Sequence, residues 1–216
     1  MVWSPEFAYA IGLIASDGCL SNDGRHLFFV SKDLEQIKNL KKCLGLEVKI
    51  GIHRAGVRMK NRTYHRVQWG DVFLYNFLLS IGLMSNKSKV IGALAIPDEY
   101  FFDFLRGSFD GDGSFYSYFD PRWKASFMYY LNFTSASLPH IDWLRETLNR
   151  FLGVKGHISK NGGIEKSRNV ICNLRFAKKE SLLVMNAMYS TLCPVHLSRK
   201  RLKIERALRI VGESLS

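Results

Sequence analysis

The chain has 216 residues, of which 47% are hydrophobic, and it carries 31 Lys and Arg residues against 19 Asp and Glu residues. That length allows one large or two small domains, each able to bury a core. No apolar stretch reaches the roughly 18 to 20 residues that span a bilayer, and the N-terminal segment lacks a signal-peptide pattern, so we expect a soluble, intracellular protein without a membrane partner.

The net charge of +12 and the pI near 9.6 favour a polyanionic partner. Nucleic acid is favoured over a membrane surface because no strongly amphipathic basic helix stands alone. A merely soluble basic protein is the alternative. The cysteines are scattered without Cys-x-x-Cys spacing, which predicts neither a zinc site nor a disulfide framework; they are Cys19, Cys43, Cys172 and Cys193.

The first half of the chain begins with an apolar helix-like run over residues 7–18 that ends in Asp17-Gly18. Hydrophobic periodicity then predicts an alternation of paired strands and helices. The predicted elements are strands near 19–20 and 25–31, a helix from 32 or 33 to about 44, strands near 48–53 and 62–69, and a helix over 71–81.

The second half repeats this order after a run that ends in Asp112-Gly113. Its predicted elements are strands near 114–118 and 124–134, a helix over 138–152, strands near 155–160 and 169–176, and helices over 179–189 and 198–211. The recurrence predicts a tandem duplication of αββαββα units over residues 1–84 and 101–216, joined by a linker over 85–100. We expect an α+β fold in which each half has an antiparallel sheet with one apolar face.

The two helix-like runs share a spacing in which a glycine precedes the last aspartate by five residues. Glycine inside a helix is about 1 kcal/mol less favourable than alanine, so Gly12 and Gly107 predict a close approach of two helix backbones. Asp17 and Asp112 would face the negative end of the helix macrodipole, and their recurrence predicts a cation nearby. The following glycines suit a left-handed helix cap.

The Asp-Gly pairs also have the composition of a plain helix cap or of a calcium loop. A plain helix cap would explain one pair but not two in register. A calcium loop that starts at Asp110 is excluded, because its sixth and twelfth positions would be Phe115 and Pro121 rather than Gly and Glu.

Residues 10–18 (AIGLIASDG) and 105–113 (LRGSFDGDG) resemble the LAGLIDADG motif of the homing endonucleases of that name. Both copies match at the third, eighth and ninth positions. Ala15 departs from the pattern at the sixth position, where the second copy keeps Asp110. The resemblance extends over nearly the whole chain. It implies that the halves pack about a pseudo-twofold axis through the motif helices and that two curved sheets form a saddle over DNA.

The resemblance also implies a function: a monomeric, intron-encoded or free-standing endonuclease that cuts a long double-stranded DNA site and leaves short 3′ overhangs. Phosphodiester hydrolysis needs a water nucleophile and charge neutralisation, which carboxylate-bound divalent cations supply. Asp17 and Asp112 are the predicted catalytic metal ligands. Mg²⁺ is the predicted ion because it favours oxygen ligands and retains waters, and Mn²⁺ or Ca²⁺ could occupy the same site. Backbone oxygens are weaker candidate ligands, and they belong to Ser16 or Gly18 and to Gly111.

Lys87 and Lys200 hold equivalent positions in the two repeats. In similar proteins a basic residue from this region approaches the cleavage site, which implies a catalytic role here. An ordinary phosphate contact or a solvated surface position is the alternative for both lysines.

Polar residues alternate with apolar ones along several predicted strands of both repeats. A two-stranded ribbon fits the major groove of DNA, where Arg, Gln, Asn and Lys discriminate base edges. Plain solvent exposure is the alternative for each face taken singly. On the strand over 48–53, Val48, Ile50 and Ile52 are placed on the opposite, apolar face. The predicted DNA contacts are Arg25, Lys49, His53, Arg62, Tyr64, Arg66, Gln68, Lys124, Ser126, Met128, Tyr130, Asn132, Asn173 and Arg175.

Two further functions are compatible with the sequence. One is an RNA-binding maturase that assists the splicing of intron RNA on the same fold, and the other is a catalytically silent DNA-binding regulator. Because both Asp17 and Asp112 are present, the sequence favours the nuclease.

Overall fold

The computed structural model describes residues 1–54, 63–161, 170–190 and 195–215, with the backbone alone for residues 53 and 54. These residues form an α+β fold with two four-stranded antiparallel sheets. No helix within the described ranges is long and apolar enough to cross a membrane.

The first sheet has the strand order β1-β2-β4-β3. Its strands are β1 (Gly18–Leu20), β2 (His26–Ser31), β3 (Gly51–Arg54) and β4 (Thr63–Gly70). The helices that alternate with them are α1 (Pro5–Asp17), α2 (Leu34–Leu44) and α3 (Val72–Ser80).

The second sheet has the equivalent order β5-β6-β8-β7, which supports the predicted duplication. Its strands are β5 (Ser114–Asp120), β6 (Trp123–Ser135), β7 (His157–Asn161) and β8 (Ile171–Ala177). The helices are α4 (Phe101–Asp112), α5 (Leu138–Leu152), α6 (Lys178–Tyr189) and α7 (Ser198–Ile210).

The contacts between residues divide the chain into two compact units. Unit 1 comprises Met1–Lys87, Leu94–Gly111 and the described part of Cys193–Leu197. Unit 2 comprises Ser88–Ala93, the described part of Asp112–Leu192, and Ser198–Ser216 as far as residue 215. Nearly all of α4, the motif helix of the second repeat, therefore belongs to unit 1 together with α1.

Each sheet buries one face, as the alternating patterns predict. In unit 1 the side chains of Leu27 and Phe29 on β2 and of Val67 on β4 are almost fully buried. In unit 2 the same is true of Leu131 on β6 and Phe176 on β8. Burial of such side chains is worth about 1.5–3 kcal/mol each, so the apolar faces hold the sheets against the helices and leave the opposite faces open.

The caps of α1 explain where the first motif helix starts and stops. Ser4 is the N-cap, and its hydroxyl accepts a hydrogen bond from the Phe7 backbone N–H at 3.1 Å. Gly18 follows the last helical residue in an extended conformation (φ −77°, ψ 153°), so the predicted left-handed cap is wrong at this position. A Cβ on Gly18 would lie 2.7 Å from the Ile14 Cα, so the glycine is required for space rather than for a positive φ.

The third strand is the main departure from the predicted elements. Residues 48–50 lie outside any strand, and β3 begins at Gly51. Lys49 is accordingly exposed but not part of a strand, and Ile52, predicted on an apolar face, is 70% exposed. β3 is a short edge strand that pairs with β4 alone. The alternation of residues along such a strand does not determine whether its apolar side chains are buried by other elements.

Candidate functional site: the motif helix ends and the open sheet faces

The motif helices α1 and α4 approach each other backbone to backbone within unit 1. A Cβ placed on Gly12 would lie 2.1 Å from the Phe104 carbonyl oxygen, and one placed on Gly107 would lie 2.1 Å from the Tyr9 carbonyl oxygen. Real Cβ contacts essentially never fall under 3.0 Å. The structure therefore places both glycines where the helices touch, as a glycine inside each helix predicts.

Gly111, near the end of α4, lies equally close to the end of α1. A Cβ on Gly111 would lie 1.9 Å from the Ser16 Oγ and 3.1 Å from the Asp17 Oδ2. The Ser16 hydroxyl in turn donates to the Leu13 carbonyl oxygen at 3.0 Å. The backbone around Gly111 thus lies beside the first motif aspartate within unit 1.

Asp17 is the last residue of α1, and its half-buried carboxylate is held by Gln36 of α2. The Gln36 Nε2 donates to the Asp17 Oδ2 at 3.2 Å and to the Asp110 carbonyl oxygen at 3.1 Å. The Ser31 hydroxyl donates to the Gln36 Oε1 at 2.5 Å and so fixes the amide. Gln36 is 3% exposed, and we did not predict its role. The feature of the sequence that could have indicated this role is the position of Gln36, a polar residue next to Ile37 on the buried face of an amphipathic helix.

Asp112 is the last residue of α4 and belongs to unit 2, where its side chain is exposed. Neither α1 nor α4 has a basic residue in its last turn. Both motif aspartates therefore add negative charge to the negative end of a helix dipole.

A buried lysine approaches the motif glycine in each unit. The Lys87 ammonium donates to the Gly18 carbonyl oxygen in unit 1, and the Lys200 ammonium donates to the Gly113 carbonyl oxygen in unit 2 at 2.6 Å. The two lysines are 6% and 8% exposed. Each helix end thus already has one cation, a lysine ammonium that is bonded to the backbone of the glycine following the motif aspartate.

The second motif helix also carries charged side chains that the first lacks. Asp103 and Arg106 form a buried ion pair with an N–O distance of 2.7 Å, and the Arg106 Nε donates to the Val195 carbonyl oxygen at 2.9 Å. The Asp110 Oδ2 accepts hydrogen bonds from the Tyr9 hydroxyl and from the Leu197 backbone N–H, both at 2.7 Å. These contacts lie within unit 1 and fasten the segment that precedes α7.

Burial raises the pKa of Tyr9 well above its ordinary value, and the neighbouring Asp110 carboxylate raises it further. Tyr9 is therefore a neutral hydrogen-bond donor at all ordinary pH values. Asp110, at the sixth motif position, serves as an acceptor that joins α1, α4 and residue 197.

The chemistry of these helix ends fits a hard divalent cation. The Asp17 carboxylate is half-buried rather than enclosed, and the Gln36 amide that contacts it is neutral, so this contact leaves its negative charge in place. Carboxylate and backbone oxygens are the ligands that Mg²⁺ prefers. In the part of the chain that the structure describes, no group of three or more His, Cys, Asp or Glu side chains is placed to hold a metal.

The open face of the first sheet carries several of the predicted DNA contacts. Arg66 and Tyr64 are half-buried, Gln68 is exposed, and the Lys32 ammonium lies 5.5 Å from the centre of the Tyr64 ring. The Arg66 guanidinium lies 5.0 Å from the centre of the Phe28 ring, a contact we did not predict. Arg25 is exposed immediately before β2. The His53 side chain and Arg62 lie outside the described residues.

The open face of the second sheet is rich in tyrosine. The Tyr116 and Tyr130 rings are stacked with centres 5.0 Å apart, and the Tyr118 ring stacks on Tyr130 at 6.1 Å. The Arg175 guanidinium lies 5.8 Å from the Tyr130 ring centre. The side-chain hydrogen bond that Tyr130 makes with Tyr118, together with burial, raises the pKa of Tyr130. The remaining predicted contacts on this sheet are exposed at Lys124 and half-buried at Ser126 and Met128.

Asn132 and Asn173 differ from the prediction of open, base-reading side chains. They are 7% and 9% exposed, and the Asn132 Nδ2 donates to the Asn173 Oδ1 at 3.1 Å. Thr134 donates to the same oxygen at 3.0 Å. These hydrogen bonds across β6 and β8 satisfy the Asn132 Nδ2 and the Asn173 Oδ1, whereas the buried Asn132 Oδ1 has no partner among the described residues.

No protein-family model matches the sequence, and no curated protein matches it. Solved structures share its fold. The meganuclease I-SmaMI bound to uncleaveable DNA is similar with a TM-score of 0.59 and 16% identity over 98% of this chain and 91% of that chain. The I-LtrWI LAGLIDADG homing endonuclease bound to target DNA has a TM-score of 0.55 and 14% identity over 93% and 88%. Full-length DUF199/WhiA from Thermatoga maritima has a TM-score of 0.58 and 18% identity over 98% of this chain and 62% of that chain, so this chain spans less than two thirds of that protein.

These similarities confirm the predicted resemblance and the α+β fold class. The chain has the fold of LAGLIDADG proteins. At such low sequence identity the similarity concerns the fold, and the same fold occurs in DNA-bound endonucleases and in DUF199/WhiA.

Proposed function

We propose that the chain is a monomeric, site-specific endonuclease of double-stranded DNA, of the intron-encoded or free-standing kind. The observation that carries the proposal is the repeated arrangement at the motif helix ends. In each repeat the helix ends in an aspartate, and a buried lysine donates to the carbonyl oxygen of the following glycine. A helix cap alone needs neither the aspartate nor its repetition.

In this proposal Asp17 and Asp112 hold Mg²⁺, which when bound supplies charge neutralisation at the phosphate and an activated water. Gln36 orients the Asp17 carboxylate through its amide, which Ser31 fixes. Lys87 and Lys200 neutralise the helix ends and place positive charge next to the scissile phosphates, where negative charge develops during hydrolysis.

The open sheet faces would supply the affinity for DNA. Arginines on β4 and β8 and lysines near the strand ends present positive charge, and the chain has a net charge of +12. Phosphate contacts give affinity and position, whereas base contacts give sequence preference. A long target site would follow from strands of both sheets contacting one duplex.

The test is cleavage of a randomised duplex library with Mg²⁺ or with a chelator. We expect Mg²⁺-dependent cuts at one long site, loss of cleavage in Asp17→Asn and Asp112→Asn, and retained binding in both. The matched control is Asp142→Asn, because Asp142 is a half-buried carboxylate of α5, as Asp17 is of α1, and pairs with Arg145 at 3.2 Å. If the control loses cleavage as well, or if the motif variants lose folding, the assignment of the aspartates as metal ligands is wrong.

A second candidate is a DNA-binding protein that does not cut. It is favoured by two observations: the Asp17 carboxylate already accepts a hydrogen bond from Gln36, and the fold is shared with DUF199/WhiA as well as with endonucleases. Sequence-specific binding without cleavage in Mg²⁺ or Mn²⁺ would establish it. Tight binding of structured RNA without DNA cleavage would instead indicate a maturase.

A further inference from the structure

We infer that Phe28, Arg66 and Gln68 form a guanine-reading cluster on the open face of the first sheet. The inference rests on the proposed DNA binding and goes beyond it by naming the base that one position of the target must carry. It depends on how three neighbouring side chains on β2 and β4 restrict one another.

The strand register brings the three side chains together. Phe28 lies directly opposite Gln68, and Arg66 lies opposite Val30, two residues further along the same face. The Arg66 guanidinium lies 5.0 Å from the Phe28 ring centre and donates through its Nη2 to the Gln68 Oε1 at 2.5 Å. The Arg66 Nε is buried and has no hydrogen-bond partner among the described residues.

These contacts remove most of the freedom of the arginine. A guanidinium on an aromatic face gains a cation–π interaction, and its plane is then fixed relative to the sheet. An arginine that is already oriented loses less side-chain entropy when it forms two parallel hydrogen bonds with a base. Phe28 is thus a positioning residue for Arg66.

The hydrogen bond between Arg66 and Gln68 also decides which base the pair can recognise. A free glutamine reads adenine because it donates to N7 and accepts from the N6 amino group. Here the acceptor, Gln68 Oε1, is already engaged by Arg66. Since the Arg66 Nε is buried, the groups left to face DNA are the remaining Nη N–H donors of Arg66 and the Gln68 amide N–H donors. Guanine presents two acceptors, N7 and O6, in the major groove, so a cluster of donors selects guanine.

The second unit contains a natural comparison for this cluster. Arg175 on β8 lies over Tyr130 and Tyr116 at 5.8 and 5.7 Å, and its Nε is also buried without a partner among the described residues. Ala177, however, lies opposite Tyr130 where Gln68 lies opposite Phe28. The aromatic support is therefore repeated, but the amide partner is not, and the glutamine-dependent preference belongs to unit 1 alone.

The experiment is selection of bound sites from a randomised duplex library with the full chain in a chelator, followed by affinity measurements on single-base variants of the selected site. For the unaltered chain we expect one position with a guanine preference of about 5- to 150-fold, the range for a bidentate contact. Gln68→Glu should shift that position toward cytosine, because a carboxylate accepts from the cytosine amino group. Phe28→Leu should lower the guanine preference at the same position about two- to fivefold.

Phe151→Leu is the matched variant in unit 2, because the Phe151 ring also lies under an arginine, with the Arg150 guanidinium 4.3 Å from its centre, but belongs to helix α5 and is not a predicted DNA contact. It should leave that guanine preference unchanged. Unfolding midpoints in urea identify any variant that has lost its fold. Gln68→Ala, at an exposed position, removes the amide donor and should also lower the guanine preference at that position. If the chain selects a site but no guanine position responds to Gln68 and Phe28, or if affinity falls uniformly for all sequences, the inference is overturned while DNA binding stands. If the unaltered chain shows no sequence preference for duplex DNA, both the inference and the proposed function fail.

Discussion

Replacing Gly107 by alanine tests the backbone contact between the motif helices. The new Cβ would lie 2.1 Å from the Tyr9 carbonyl oxygen, so the helices must separate by at least 0.9 Å to reach 3.0 Å, the lower limit of real contacts. The obstructing atom belongs to the backbone and cannot rotate away. Overpacking of this kind destabilises by about 1–3 kcal/mol, while alanine gains up to about 1 kcal/mol in helix propensity. We therefore expect a net loss of about 1 kcal/mol in the free energy of unfolding.

Urea denaturation of the natural chain and of Gly107→Ala measures this loss directly. The matched control is Gly92→Ala, because a Cβ there meets nothing within 4 Å. The double variant with Gly12→Ala should lose less than the sum of the single losses, since both substitutions separate the same pair of helices. A Gly107→Ala chain that is more stable than the natural one would refute the backbone contact, because propensity alone would then account for the gain.

Three more outcomes are expected. Lys200→Met should lower the free energy of unfolding by about 1.5–3 kcal/mol, because the Gly113 carbonyl oxygen loses a charged donor; Lys179→Met at an exposed position is the control, and an unchanged or higher stability would contradict the prediction. The pKa of Asp23 is lowered to about 2, mainly by the hydrogen bond from the His26 backbone. The stabilisation that this carboxylate gives to the fold is complete above its pKa in the unfolded chain, near 4, and is lost as the pH falls through 2. An NMR titration midpoint near 4 would exclude this contact in solution. Affinity for duplex DNA should fall steeply with salt, as counterion release requires, and a flat response in a salt series would rule out electrostatic binding.

The order of helices and strands could be predicted because hydrophobic periodicity and capping residues within each segment indicate its type and its ends. Helix α5 has the predicted bounds, Leu138–Leu152, since Ser137 and Pro139 mark its start and Gly153, with a φ of 67°, its end. The third strand could not be predicted as well. Its alternation continues through residues 48–53, but pairing with β4 starts at Gly51, and pairing is a property of the sheet rather than of the segment.

The candidate site could be predicted only where a residue type is unusual for its position. Glycine and aspartate in the motif helices indicated a close contact and a charged helix end. The roles of Gln36 and Phe28 depend on partners 19 and 40 residues distant in sequence, Asp17 and Gln68, and nothing local specifies those partners. Asn132 and Asn173 show the converse: their alternation predicted exposure, but their mutual hydrogen bond allows them to be buried.

The buried polar groups of α4 have a consequence for how this chain could be rebuilt. At the positions of Asp103, Arg106 and Asp110, the first motif helix has Ala8, Ile11 and Ala15, so the duplicated helices have become complementary rather than identical. A symmetric protein made from two copies of the second repeat would place two such charged faces together. It would lack the Tyr9 hydroxyl that donates to Asp110. One made from two copies of the first repeat would have Ala15 in place of Asp110, so the Tyr9 hydroxyl would lose that acceptor. Recombining halves of different origin is therefore expected to succeed only when a first repeat is joined to a second, and exchanging α1 and α4 as a pair is the smallest transplant that preserves the contact.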